Sequence, residues 1–145
     1  MSSPQPPRFD GQRWSNADDD RIEVLPADPA WPQHFAAEAE AIRMALALPG
    51  LGIEHVGSTA VPGLDAKPII DILLLPPPGH DPQRLVAPLE GLGYQFWREN
   101  PNTQRMFFVK GMPPFGHGRT HHVHVMPLAQ ADRYLLFRDW LRNHP

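Results

Sequence analysis

Polar and apolar positions along this chain repeat with periods that change from segment to segment, and each change marks an element. Trp31, Phe35, Ala39, Ile42 and Leu46 recur at helical spacing, with Glu38, Glu40 and Arg43 on the remaining positions. That predicts an amphipathic helix over 29–48 packed on a sheet. Asp28-Pro29 suits its start, and Pro49-Gly50 breaks it. Ile69–Leu75 is apolar on both alternating faces except at Asp71, so it reads as a central strand covered on both sides. Residues 22–25 alternate enough for a short edge strand, and 53–56 form a strand running into the Gly57-Ser58 turn. Asp81-Pro82 opens a second helix to about residue 91. Tyr94–Arg98 and Arg105–Lys110 pair as antiparallel strands, Thr120–Met126 alternates as another, and Ala129–Asn143 is a last helix. The order α-β-β-α-β-β-β-α predicts an α+β (mixed α/β) domain and argues against a doubly wound sheet.

Composition narrows the class. The 145 residues suffice for one domain, expected over 21–145 behind a flexible tail at 1–20 rich in Pro, Ser, Gln and Asp. The run Asp18–Asp20 reads as a solvated acidic stretch of that tail. Thirteen Lys and Arg against 16 Asp and Glu leave a net charge of −3, which carries no nucleic-acid footprint. The absence of cysteine excludes disulfide and thiolate chemistry. No apolar run approaches the ~18–20 residues of a membrane span, and the first residues lack a signal-peptide core. A cytoplasmic protein is the expectation.

Three features carry candidate chemistry. Asp71 is the first: an isolated carboxylate in an apolar strand costs several kcal/mol, roughly, unless it is paired, hydrogen-bonded or metal-bound. A buried ion pair with Lys67 or an arginine is one explanation; a metal ligand or general base is the other. The second is the Gly57-Ser58-Thr59 turn after a strand, where backbone N–H groups and hydroxyls can meet a phosphate, with His55 close by. It is neither a Walker loop nor a dinucleotide fingerprint. The third is His122 and His124, two apart on one strand and so on one face, with His121 on the other. Two imidazoles do not fix a metal alone, but Asp71 completes a three-ligand set. Lys67, Arg105, Lys110 and Arg119 are the cations available to a phosphate. Arg105 and Lys110 have opposite parity, so only one of them is expected at the site. Arg138 and Asp139 read as a helix pair. Met126 stands where the third histidine of a histidine-triad hydrolase belongs, no Glu follows for a cupin, and no nucleophile elbow supports a Ser58–His122–Asp71 triad.

The stretch IEHVGSTAVPGLDAKPIIDI resembles the signature of the GrpB (UPF0157) family, as do DPAWPQHF, RMFFVK, HHVHV and LLFRDWLRNHP. The resemblance covers about residues 22–145. It implies the nucleotidyltransferase superfamily, a mixed sheet flanked by helices, and related domains fused after dephospho-coenzyme A kinase. That superfamily carries a Gly-Ser turn, then an acidic-x-acidic pair that holds two Mg²⁺. Gly57-Ser58 matches the turn and Asp71 the second acid; Ile69 stands at the first. His122 or His124 in its place would suit a transition metal better than Mg²⁺. The implied enzyme holds a nucleotide or phosphorylated small molecule at Gly57, Ser58, Thr59 and His55, and a divalent metal (Mg²⁺, Mn²⁺ or Zn²⁺) at Asp71, His122 and His124. Lys67 and Arg105, with Asp71, serve the chemistry. The alternatives are a noncatalytic nucleotide- or phosphate-binding module and a metal-dependent hydrolase. The family usually continues with another helix, so the last helix is expected to leave an apolar face for a partner, a second copy of the chain among the candidates.

Overall fold

The computed structural model describes residues 23–102, 105–112 and 118–144. The tail expected over 1–20, with Asp18–Asp20, lies outside them. Among the described residues five strands form one sheet: β1 (Gly52–Val56), β2 (Ile70–Leu75), β3 (Tyr94–Phe96), β4 (Met106–Lys110) and β5 (His121–Val125), in the order β1-β2-β5-β4-β3. β2 and β5 run parallel, and every other neighbouring pair is antiparallel. The helices are α1 (Trp31–Leu46), α2 (Val86–Gly91) and α3 (Leu128–Asn143). The mixed sheet flanked by helices is the architecture expected from the element order. Among the described residues no helix is long and apolar enough to cross a membrane.

Two boundaries move for identifiable reasons. Asp28 spends its carboxylate on the Ala30 N–H at 2.8 Å, closing a turn, so α1 begins at Trp31 with Pro32 in its first turn. At the other end Ala47 takes a left-handed conformation (φ 47°) and its N–H bonds the Arg43 carbonyl, ending the helix before Pro49-Gly50. The strand expected over 22–25 is reduced, within the described residues, to one bridge between Leu25 and Ala66. Pro26 follows at once and has no N–H to extend a ladder.

The sheet has two unlike faces. Ile70, Ile72 and Leu74 of β2, Val123 and Val125 of β5, and Met106 and Phe108 of β4 pack with Trp31 and Ile42 of α1 and Leu89 of α2. Ile72, Leu74, Val123 and Phe108 are fully buried, each worth about 1.5–3 kcal/mol. On the other face, residues of opposite parity form two smaller apolar groups. Val56 and Leu73 lie under Met126 and Ala131 at one end; Phe107, Val109 and Met112 lie at the other. Between them are three polar side chains: Asp71 of β2 and His122 and His124 of β5.

Candidate functional site

Register places these three together. β2 and β5 are parallel, with Asp71 opposite His122 and Leu73 opposite His124. The same parity sends all three side chains to one face. His122 Nδ1 is 3.3 Å from Asp71 Oδ1 and His124 Nε2 is 3.4 Å from the same oxygen. One nitrogen from each ring and one carboxylate oxygen fall within 4.8 Å of one another. The Phe107 ring, opposite His124 on β4, packs against both imidazoles at 5.0 Å. This aromatic wall limits ring rotation and lowers the local dielectric.

Electrostatics follow from the packing. Burial favours the neutral acid at Asp71, but hydrogen bonds and charge from His122 and His124 outweigh it and hold the carboxyl at about 2. Burial pushes His124 below its ordinary value and Arg105 adds to the effect, against the opposing pull of Asp71. At neutral pH the site therefore holds a carboxylate beside a neutral His124. The expected ion pair between Asp71 and Lys67 is not what stabilises this acid: its partners are the imidazoles.

A cleft of about 550 Å³ opens beside the group, bordered by Ser58, Lys67, Ile69, Asp71, Arg119 and His122. The Gly57-Ser58 turn forms its rim. Gly57 has φ 76°, and a Cβ there would lie 2.5 Å from Asp71 Oδ2, so only glycine lets the turn close over the carboxylate. The glycine expected to admit a ligand thus first admits Asp71. Ile69 points hydrocarbon into the cleft where the superfamily pattern has its first acid.

The remaining predicted residues divide. Arg105, just before β4, shares the parity of Phe107 and reaches the site. Its Nη2 donates to His124 Nδ1 at 2.6 Å and its Nη1 to the Tyr134 hydroxyl at 2.6 Å. Lys110, of opposite parity, pairs instead with Glu38 at 2.8 Å on the far face, as the strand alternation required. Thr59 borders the cleft, but its hydroxyl hydrogen goes to the Ile69 carbonyl at 3.1 Å. His55 lies opposite Ile72 in the ladder, on the α1 face, stacked on Phe35 at 4.7 Å. With the Thr59 hydrogen committed, His55 Nε2–H donates to Thr59 Oγ1 at 2.9 Å. The structure therefore brings Asp71, His122, Ser58 and Lys67 to one cleft, joins His124 to Asp71 behind them, sets Arg105 on the far side of His124 in a separate cavity, and turns His55 inward. Phe107 and Tyr134 were missed as site residues. The parity of Phe107 with Arg105 in RMFFVK was a usable signal; Tyr134 had none, because helix-to-sheet docking brings it in. Arg138 does pair with Asp139 (2.9 Å), and it also reaches Glu54 (2.8 Å) on β1.

The mixed sheet, with a Gly-Ser turn closing over an acid on the next strand, has a nucleotidyltransferase-like fold. The chain belongs to the GrpB family: the family profile described as GrpB protein matches residues 21–145. A UPF0157 protein of Pseudomonas aeruginosa is 99% identical over 145 residues, all of this chain and 60% of that protein. The chain thus spans 60% of the length of that relative. The crystal structure of the conserved protein GrpB from Enterococcus faecalis superposes with a TM-score of 0.74 at 37% identity, covering 85% of this chain and 74% of that one. The Cid1 poly(U) polymerase, with MgGTP bound, shares the fold at a TM-score of 0.55 and 13% identity, over 82% of this chain and 38% of that one.

Proposed function

We propose that this protein binds a nucleotide or other phosphorylated small molecule in the cleft beside Asp71, with a divalent transition metal as cofactor, as a nucleotidyltransferase-like enzyme. The observation that carries the reading is the convergence of one carboxylate and two imidazoles, of which Asp71 and His122 line a cleft that Ser58 and Lys67 also border. The donor set fits a metal on its own terms. One oxygen and two nitrogens suit Mn²⁺ or Zn²⁺ better than Mg²⁺, which prefers oxygen ligands. Among the described residues His122 Nε2 is buried without a hydrogen-bond partner, so part of that ring's capacity is unspent. Asp71, His122 and His124 would hold the ion, which when bound supplies positive charge to phosphate oxygens. The Ser58 hydroxyl and the Lys67 ammonium orient the phosphate from the rim, and the Arg105 guanidinium offsets charge that develops on it. Gly57 and Thr59 shape the turn.

A second reading is favoured by Ile69. With hydrocarbon at the first acidic position, a two-metal arrangement lacks a ligand, and a binding module without transfer chemistry results. Calorimetry with Mn²⁺ or Zn²⁺ and each nucleoside triphosphate, followed by a turnover assay, separates the two. The enzyme reading expects metal-dependent turnover that Asp71→Asn abolishes. Nucleotide binding indifferent to metal and to Asp71→Asn, with no turnover, overturns it.

A further inference from the structure

Arg105 makes an unusual contact for the neighbour of a metal site. A guanidinium has donors only, so its 2.6 Å contact to His124 Nδ1 requires a bare lone pair on that nitrogen. The single proton of the neutral ring then sits on Nε2, 3.4 Å from Asp71 Oδ1. A metal ion has two ways to use this ring. Bound to Nδ1, it takes the lone pair that Arg105 occupies. Bound to Nε2, it leaves the ring proton on Nδ1, where it would face a guanidinium N–H with no acceptor between them. Both routes break the same hydrogen bond, and both set a cation beside an arginine across one imidazole.

Resting on the metal reading above, we infer that Arg105 and a metal ion exclude one another at His124, so that metal entry hands the Arg105 guanidinium over to the ligand. Tyr134 makes the exchange local. Its hydroxyl accepts from Nη1 at 2.6 Å and its ring lies 5.3 Å from the guanidinium carbon, so Arg105 stays tethered after Nη2 leaves His124. The tether holds it in a cavity of about 790 Å³ that also contains Arg133 and Gln130. An oxyanion entering there would draw Arg105 off His124 and raise metal affinity, because linkage between two ligands is reciprocal. Arg105 thus competes with the metal for His124 and contacts the anion directly.

The test uses Co²⁺, whose visible absorption reports imidazole ligation, and long-range ¹H–¹⁵N spectra of the histidine rings. Without metal, His124 is expected as the Nε2–H tautomer in the parent protein and to lose that preference in Arg105→Met. Co²⁺ is expected to bind Arg105→Met about tenfold tighter than the parent, and Arg105→Lys to an intermediate degree, as loss of a charged hydrogen bond predicts. Matching far-ultraviolet circular dichroism establishes that the variants are folded. A parent His124 protonated on Nδ1, or Co²⁺ binding equal or weaker in Arg105→Met and Arg105→Lys, overturns the exclusion and leaves the metal site standing. Absence of Co²⁺, Mn²⁺ and Zn²⁺ binding in the parent and in both variants overturns the metal reading itself.

Discussion

Gly57 and Asp71 are packed so closely that a Cβ on residue 57 would lie 2.5 Å from Asp71 Oδ2 and 3.0 Å from Asp71 Cβ. The turn and the acid of the site are therefore one packing unit. Gly57 also has φ 76°, where an L side chain is strained whatever the space. Gly57→Ala is expected to cost about 3 kcal/mol, from backbone strain plus overpacking. Urea unfolding of Gly57→Ala, Asp71→Ala and the double variant checks it. The double variant should be more stable than the sum of the singles allows, since Asp71→Ala removes the clashing oxygen. Strict additivity would refute the packing unit.

His55 gives the fold a pH dependence. Burial, then the charges of Arg142 and Arg138, push its pKa down to about 4 against an opposing pull from Asp71. The folded state keeps the ring neutral while the unfolded chain protonates near 6.5. Stability from this group is complete above about pH 6.5 and is lost as pH falls toward 4, by about 3 kcal/mol. His55→Gln, which keeps an N–H donor but does not titrate, should flatten this part of the stability curve. An NMR titration placing His55 near 6.5 in the folded protein would contradict the assignment.

Glu38 is buried on the α1 face, where Tyr94 donates to Oε1 at 2.8 Å and Lys110 Nζ lies 2.8 Å away. Burial favours its neutral form, but the bonds from Lys110 and Tyr94 prevail and hold the carboxyl below its ordinary value. Lys110→Met is expected to cost about 2 kcal/mol by leaving the carboxylate without its cation. That is less than for a fully buried pair, because the Lys110 side chain keeps 27% of its surface. Adding Glu38→Leu should recover part of the loss in thermal unfolding; a further fall would mean that the pair is not the source.

The last helix combines a small apolar attachment through Ala131 and Leu135 with polar contacts to the sheet edge. Of α3, only Ala131 is buried, while Leu136, Phe137 and Trp140 are exposed. Arg138 Nη1 reaches Glu54 and the His55 carbonyl (3.1 Å) on β1, and Arg142 Nε donates to the Ala60 carbonyl at 2.8 Å. Arg138→Ala is expected to loosen α3 by about 1–2 kcal/mol while leaving the sheet intact. In hydrogen exchange, amides of 132–143 should lose about tenfold protection. Equal loss at β2 would show that the contact holds the whole domain.

Much of the fold was legible because it rests on periodicity. The α1 stripe, the apolar run of β2 with its single acid, and the paired strands before and after residue 100 depend on which positions repeat. Parity carried two relations within the candidate site: His122 shares a face with His124, and Arg105 and Lys110 fall on opposite faces. The site was illegible where two distant segments decide which atom faces which. Glu38 reads as a polar helix position, yet Tyr94 and Lys110 close over it. His55 stands next to a phosphate-like turn in the chain, yet the ladder turns it to the opposite face.

The amino-acid order by itself therefore determined which residue types share a strand face: one carboxylate at 71, two imidazoles at 122 and 124, and hydrocarbon at 69 where an acid was expected. Alternation along a strand is a local property and needs no partner to define it. Only the tertiary structure decided that β2 and β5 lie side by side in parallel, in the register that sets Asp71 beside both rings. It also decided that the Gly57 turn closes over that carboxylate and that Arg105 takes the His124 lone pair. Strand neighbours and donor directions are set by the global minimum of packing, and no short window of sequence contains them.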